Sequence, residues 1–153
     1  MYSRNLFIVG PRGSGKTCLY RTTLAAIRSK GLIAIATASS GVAASILPGG
    51  RTAHSIFKIP LIIKDNSMCN ISKQSGLAQL LRDARLIIWD EAPMMRKESI
   101  ESLDKTLQDI NNCNTLFGGK VIVFGGDFRQ VLPVVPKASK EEVIDSSLAN
   151  SYL

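Results

Sequence analysis

Between residues 10 and 17 the chain reads Gly10-Pro11-Arg12-Gly13-Ser14-Gly15-Lys16-Thr17. An apolar run at residues 6–9 precedes this stretch, and a helical pattern at residues 17–28 follows it. Strand, glycine-rich loop and helix in this order are the context of a phosphate-binding P-loop. Glycine lets the backbone curl so that several N–H groups point at one anion, and the helix start adds its positive end. The alternative is a glycine-rich turn that caps an ordinary strand–helix unit.

The last two residues of this stretch favour the P-loop over the simple turn. In a P-loop, Lys16 supplies a point charge to the β- and γ-phosphates, and Thr17 supplies a hydroxyl to Mg²⁺. A lysine followed by a threonine has no structural purpose at the start of a helix. The stretch therefore predicts a site for a nucleoside triphosphate with Mg²⁺.

The composition narrows the class of protein. The chain has 153 residues, of which 45% are hydrophobic, and this suits one domain with a real core. Three cysteines, Cys18, Cys69 and Cys113, match no metal-binding spacing. We expect them to be reduced thiols of an intracellular protein, each buried as a small apolar residue.

The charge and the hydropathy concern possible partners. A formal net charge of +7 favours a polyanion such as nucleic acid, although many basic proteins bind none. No apolar run of about 18 residues is present, so we expect no membrane partner. The first strand begins almost at the N-terminus, so we expect no signal or transit peptide within this sequence. The alternative is that the chain is a fragment and that a targeting segment lies upstream.

Alternating strand and helix patterns predict the fold class. Short apolar runs occupy residues 6–9, 32–36, 86–89 and 121–124. Helical patterns occupy residues 17–28, 77–83 and 97–110. The apolar runs are continuous, as in strands that are buried on both faces of a parallel sheet. The order predicts a doubly wound α/β fold with helices on both faces of a mostly parallel sheet. Residues 59–75 look irregular, Pro133 and Pro136 mark a loop, and residues 140–148 have a helical pattern.

Two adjacent carboxylates, Asp90 and Glu91, follow the third apolar run. In a P-loop protein the first would hold Mg²⁺ opposite Thr17, and the second would act as general base on the attacking water. The alternative is a strand that ends in a solvated acidic turn. The P-loop upstream favours the catalytic interpretation.

A glycine-containing stretch, Gly125-Gly126-Asp127-Phe128-Arg129-Gln130, follows the fourth apolar run. Strands of this fold end at the ligand crevice. The Gln130 amide can reach the γ-phosphate or the attacking water without adding charge, and Asp127 can tether a neighbouring element. The alternative is a glycine turn with a polar exit.

Two further segments carry groups that suit nucleic acid. Residues 37–44 end a strand and enter a small-residue helix, where Ser39 and Ser40 can donate to phosphate. Capping of that helix explains either serine equally well. Residues 50–60 interleave basic, hydroxyl and aromatic groups, so that His54 and Ser55 can contact phosphate and Phe57 can stack on a base. A structural histidine and a core phenylalanine are the alternatives.

Five motifs in order, GPRGSGKT, TASSGVAA, RTAHSIFKIP, IIWDEAP and GGDFRQVLPV, resemble the Pif-one family of superfamily-one DNA helicases, in particular its plant and Helitron-type members. The resemblance covers roughly residues 6–153. It implies a RecA-like P-loop fold and an ATP-dependent 5′-to-3′ DNA helicase, in which ATP hydrolysis drives single-strand translocation and duplex unwinding. It also implies roles in DNA repair, recombination and telomere maintenance, single-stranded DNA and DNA junctions as partners, and a location in the nucleus or the mitochondrion.

The resemblance also implies residue roles. Residues 10–17 match the motif that holds ATP, Asp90 and Glu91 match the Mg²⁺ and water-activating pair, and Gln130, with Asp127, matches the γ-phosphate sensor. Residues that match DNA-touching motifs are Ser39, Ser40, Gly41, Thr52, His54 and Ser55.

Two departures from the family pattern limit what the chain is expected to do. The first five residues contain no glutamine that could form the family's adenine-contacting motif, and no second RecA-like lobe follows the third motif. We expect residues 1–153 to form the first lobe alone, with weak nucleotide binding, slow hydrolysis and no unwinding. The alternatives are a non-motor P-loop module that binds nucleotide or DNA, and a decayed gene fragment.

Overall fold

The computed structural model describes residues 5–127, 139 and 147–153. Within them, five strands form one sheet in the order β1-β5-β4-β2-β3, and every recorded pairing is parallel. The strands are β1 (Asn5–Val9), β2 (Ile33–Ala38), β3 (Arg51–Thr52), β4 (Ala84–Asp90) and β5 (Ile122–Gly126). The four predicted strands are present. The short β3 was missed, because two residues carry no apolar pattern.

The described helices are α1 (Lys16–Ser29), α2 (Gly41–Ile46), α3 (Ala53–Phe57), α4 (Gly76–Asp83) and α5 (Lys97–Asn111). Single 3₁₀ turns occupy Ala92–Met94, Leu116–Gly119 and Leu148–Asn150. The predictions of α1, α2, α4 and α5 are confirmed, and residues 58–75 contain neither helix nor strand. The predicted loop at Pro133 and Pro136, and most of the helical pattern at residues 140–148, lie outside the described residues.

Helices cover both faces of the sheet. Successive residues of a strand point to opposite faces, so neighbouring residues of β4 pack in different clusters. Leu86 and Ile88 of β4 pack with Tyr20 and Leu24 of α1 in one buried cluster. Ile87 and Trp89 pack in a second cluster with residues of α5. The residues of α5 that lie in it are Ile100, Leu103, Leu107 and Ile110, as its helical pattern predicts. The predicted fold class, a parallel α/β sheet with helices on both faces, is confirmed.

Strand β1 differs from the prediction of burial on both faces. Its residues Leu6 and Val9 are each 57% exposed, and Phe7 is 44% exposed. Among the described strands, β1 lies at one end of the sheet and pairs with β5 alone. On α1, Leu19 is exposed, while the next residue, Tyr20, is buried.

The expectation that all three cysteines are buried is wrong for two of them. Cys69 is buried, Cys18 is exposed and Cys113 is intermediate, and all three are free thiols. Burial raises the pKa of the Cys69 thiol. A hydrogen bond from the Thr115 hydroxyl, 3.0 Å from Cys113 Sγ, lowers the pKa of the Cys113 thiol. None of the described helices combines the length and the apolar composition needed to cross a membrane.

These cysteine environments predict an order of alkylation, because the thiolate is the reactive form. In native protein at neutral pH, iodoacetamide should modify Cys113 readily and leave Cys69 intact. As the pH is lowered, alkylation of Cys113 should persist to a lower pH than alkylation of an ordinary thiol, because the lowered pKa of Cys113 keeps its thiolate present. Peptide mass spectrometry across pH measures this, with urea-unfolded protein as the control. Equal rates at Cys69 and Cys113 in native protein would contradict the prediction.

Candidate active site

A cleft of about 810 Å³ lies where β1, β4 and β5 end. Ligands of open α/β sheets bind outside the carboxyl ends of the strands, so this is the expected position. The predicted site residues that line it are Gly10, Arg12, Gly13, Ser14, Gly15, Lys16, Thr17, Ser40, Asp90, Glu91 and Asp127. Pro11 is exposed and is not one of the residues that line the cleft. Gln130, predicted as the γ-phosphate sensor, lies outside the described residues.

The loop between β1 and α1 has the backbone of an anion site. Gly13 and Gly15 have φ values of 80° and 87°, in the left-handed region that favours glycine. Gly15 is the N-cap of α1 and contributes no side-chain cap. The first N–H groups of α1 therefore have no partner within the helix and lie at its positive end.

The Lys16 ammonium lies over this loop. Its Nζ donates to the carbonyl oxygens of Gly10 and Pro11, the latter at 2.8 Å, and to Ser14 Oγ at 3.2 Å. The Pro11 carbonyl also accepts from the N–H of Ser14 at 3.3 Å. The loop thus holds the Lys16 ammonium at its centre. When a nucleotide binds, its phosphates would replace the backbone carbonyls as hydrogen-bond partners of this ammonium.

Asp90 and Glu91 face the loop from the end of β4. The Glu91 N–H donates to Asp90 Oδ1 at 2.9 Å, and Glu91 has a left-handed φ of 54°. A left-handed non-glycine residue costs of order 1–3 kcal/mol, and such residues cluster at functional sites. Burial is the largest cause that raises the pKa of Asp90, and the Glu91 charge adds to it. The Glu91 N–H bond and the Lys16 charge oppose this rise.

Tyr20, which the sequence analysis did not single out, lies behind Asp90. It is 1% exposed, and its Oη has no hydrogen-bond partner among the described residues. A Cβ on Gly125 would lie 1.7 Å from Tyr20 Oη and 3.1 Å from Asp90 Oδ1, so the two oxygens share one small space. Its signal in the sequence was the four-residue spacing from Lys16, which places both on one face of α1.

This space gives a test of whether the residues fit Mg²⁺. A buried hydroxyl without a partner is costly, and a water of a hydrated Mg²⁺ held at Asp90 would give the Tyr20 hydroxyl a partner. Mg²⁺ usually keeps several waters and takes one or two protein oxygens plus substrate phosphates. Asp90 and Thr17, which line the same cleft, are oxygen donors of that kind. The residues present fit the ion.

Ser39 and Ser40 are fixed to the end of β4. Ser40 Oγ accepts from the N–H of Ala43 at 3.2 Å, which confirms it as the N-cap of α2, and it donates to Glu91 Oε2 at 2.7 Å. Ser39 Oγ accepts from Trp89 Nε1 at 3.0 Å, and its N–H donates to the Asp90 carbonyl at 3.0 Å. The segment predicted to touch DNA is therefore joined directly to the carboxylate pair.

The second predicted DNA segment folds into β3 and α3. Thr52 is the N-cap of α3 and accepts from the N–H of Ser55 at 3.4 Å. Ser55 is exposed and His54 is half-buried, while Gly41 is the exposed first residue of α2.

The prediction that Phe57 stacks on a base is wrong in this structure. Phe57 is 0% exposed, and its ring centroid lies 5.5 Å from that of Trp89. Ala53 and Phe57 are four residues apart, so α3 turns both into the core. Thr52 as a helix N-cap was the signal that could have shown this helix in the sequence.

Comparison with known proteins gives one consistent family. The family model described as PIF1-like helicase matches residues 1–153. The ATP-dependent DNA helicase PIF1 of Candida albicans is 32% identical over 140 residues, which cover 90% of this chain and 15% of that protein. The ATP-dependent DNA helicase Pif1 of Campylobacter jejuni is 33% identical over 150 residues, covering 94% of this chain and 32% of that protein.

The solved structures agree with the curated relatives. The Bacteroides Pif1 helicase in complex with ADP-AlF3 and ssDNA matches with a TM-score of 0.82 at 29% identity, over 98% of this chain and 35% of that one. The chain thus spans a third or less of these two curated relatives and about a third of this solved chain. Because the family model matches residues 1–153 of this chain, and because the P-loop, Asp90 and Glu91 lie around one cleft, the chain belongs to the PIF1-like helicase family.

Proposed function

We propose that residues 1–153 form the first RecA-like lobe of an ATP-dependent 5′-to-3′ DNA helicase, which hydrolyses ATP to move along single-stranded DNA. The observation that carries the proposal is the convergence of Lys16, Thr17, Asp90 and Glu91 on one cleft. Two features of relatives support it. Curated relatives are named ATP-dependent DNA helicases, and the Bacteroides structure holds ADP-AlF3 and ssDNA. The proposal includes DNA junctions as substrates and a second RecA-like lobe that completes the ATP site.

Each residue of the cleft has a separate task in this proposal. The free N–H groups at the start of α1 and the Lys16 ammonium bind the β- and γ-phosphates of ATP. Thr17 and Asp90 would hold Mg²⁺, which supplies charge neutralisation on the phosphate oxygens. Glu91 accepts the proton of the attacking water. Gln130 as the γ-phosphate sensor stays part of the proposal.

The DNA side of the proposal rests on exposed polar groups near the same edge of the sheet. Gly41 and Ser55 are exposed and His54 is half-buried. Gly41 is the first residue of α2, and His54 and Ser55 lie in α3, directly after β3. Strand β3 pairs with the carboxyl end of β2. Together with Ser39 and Thr52, these residues are the proposed contacts to the single strand. The net charge of +7 favours a polyanion.

Binding of single-stranded DNA should weaken strongly with salt. If the chain neutralises about three phosphates, affinity should fall roughly twentyfold between 50 and 200 mM salt, because bound counterions are released. Fluorescence anisotropy of a labelled oligothymidylate measures this. Ser55→Asp should weaken binding several-fold through repulsion of phosphate. Ser29→Asp, at the far end of α1, should not.

Two outcomes would count against the DNA contacts. A salt-independent affinity would mean that phosphates are not bound. Equal losses in Ser55→Asp and Ser29→Asp would mean that only the net charge of the chain matters, and would remove the proposed contact surface.

A further inference from the structure

The hydroxyl of Ser40 has a defined direction. It lies 3.2 Å from the N–H of Ala43 and 2.7 Å from Glu91 Oε2. An amide N–H can only donate, so Ser40 Oγ accepts from Ala43. The Ser40 hydroxyl therefore donates its hydrogen bond to the Glu91 carboxylate. A helix cap and a contact to the general base are combined in one side chain.

The Glu91 carboxylate is held by this contact. Within the described part of the chain, Ser40 supplies the only hydrogen bond to the Glu91 carboxylate. A glutamate has three rotatable side-chain bonds, and only a few of its orientations point an oxygen at an attacking water. A general base must lie within hydrogen-bond reach of the proton that it takes.

We propose that Ser40 is a positioning residue that orients Glu91 for activation of the attacking water. The inference rests on the proposed function of the cleft, since it assigns a role toward that hydrolysis. Ser40 does not contact the nucleotide in this role and acts through Glu91. This role differs from the DNA contact that the sequence alone suggests for Ser40.

The neighbouring residue makes the position of Ser40 rigid. Ser39 accepts from the Trp89 indole at 3.0 Å and donates its N–H to the Asp90 carbonyl at 3.0 Å. Both partners, Trp89 and Asp90, are the last two residues of β4, directly before Glu91. A strand of DNA that contacts Ser39 or Gly41 would therefore act on the orientation of Glu91 through one covalent neighbour and one hydrogen bond.

Single-turnover hydrolysis of radiolabelled ATP, with the 153-residue chain in excess and Mg²⁺ present, tests the inference. Ser40→Ala should hydrolyse ATP about tenfold more slowly, a part of the 10²–10⁴ that a general base contributes. Its affinity for the non-hydrolysable analogue AMP-PNP should stay within about twofold. Ser40→Thr keeps the hydroxyl and should recover the wild-type rate. In a Glu91→Gln background, Ser40→Ala should cause no further loss.

A matched control separates positioning from loss of a helix cap. Ser75 caps α4, where its Oγ accepts from the N–H of Ala78 at 3.1 Å and donates to the Ser72 carbonyl at 2.7 Å. Ser75→Ala thus loses a helix-cap bond and a donated hydroxyl bond at a remote place, the latter to a carbonyl instead of a carboxylate, and its hydrolysis rate should be unchanged. A wild-type rate in Ser40→Ala, or a further loss on the Glu91→Gln background, would overturn the inference.

A second measurement decides the case in which turnover is too slow to detect. The ¹³C resonance of the Glu91 carboxyl, assigned as the one lost in Glu91→Gln, should shift or broaden in Ser40→Ala with AMP-PNP and Mg²⁺. It should not change in Ser75→Ala, and an unchanged Glu91 resonance in Ser40→Ala overturns the inference. Failure of the cleft itself looks different, because Lys16→Ala and wild type would then bind AMP-PNP equally.

Discussion

Lys16→Ala is expected to weaken binding of ATP with Mg²⁺ by a hundredfold or more. The ammonium donates to the Gly10 and Pro11 carbonyls and to Ser14 Oγ, at the point where phosphates must enter. In the complex we expect at least two of these donors to turn to phosphate oxygens. A hydrogen bond to a charged group contributes about 1.5–3 kcal/mol, so losing two costs roughly 3–6 kcal/mol. Every 1.4 kcal/mol is about tenfold in affinity.

Titration of a fluorescent ATP analogue into both proteins measures this effect. Lys30→Ala is the matched control, because Lys30 is the exposed C-cap at the opposite end of the same helix. It removes the same charge about 20 Å away, given a rise of about 1.5 Å per residue. Its affinity should stay close to that of wild type. Equal affinities of wild type and Lys16→Ala would remove the P-loop assignment.

Local patterns were sufficient for most of the fold. Continuous apolar runs located the four longer strands, and the 3.6-residue period located α5, in which the residues that recur at this period, Ile100, Leu103, Leu107 and Ile110, are all buried. Burial on each face was harder to predict. Strand β1 has the same apolar pattern as β4, yet Leu6 and Val9 are exposed, because strand order in the sheet decides burial and a local window does not contain that order.

The site could be predicted where fold logic and residue chemistry agree. Parallel strands end at one edge, so Asp90 and Glu91 had to approach the loop that carries Lys16. The contacts of Ser40 with Glu91 and of Ser39 with Trp89 join residues about 50 positions apart, and no local spacing encodes them. The prediction that Phe57 stacks on a base failed for the same reason. Its packing against Trp89 is a tertiary contact, which the local sequence does not encode.

Gly125→Ala is expected to destabilise the protein strongly. Among the described glycines that lie in strands, Gly125 is the one at which an added methyl should lower the free energy of unfolding most. The new Cβ would lie 1.7 Å from Tyr20 Oη and 2.6 Å from Tyr20 Cζ. Neither side can give way easily, because β5 is held between β1 and β4 and Tyr20 is 1% exposed. Forcing extra atoms into a packed core typically costs about 1–3 kcal/mol, and we expect about 3 kcal/mol or more here. Urea denaturation measures the change in the free energy of unfolding.

Two further variants show whether the clash with Tyr20 is the cause. Gly76→Ala is the matched control: a Cβ there meets nothing within 4 Å at the start of α4, so it should be neutral or stabilising by up to about 1 kcal/mol. Tyr20→Phe alone should cost little, because Tyr20 Oη has no partner among the described residues. Combined with Gly125→Ala, it should recover part of the lost stability by removing the atom at 1.7 Å. Similar denaturation midpoints for Gly125→Ala and Gly76→Ala would contradict the packing of Tyr20 against β5. If Gly125→Ala were destabilised but not rescued by Tyr20→Phe, the remaining contact with the ring carbon, at 2.6 Å, would have to carry the strain.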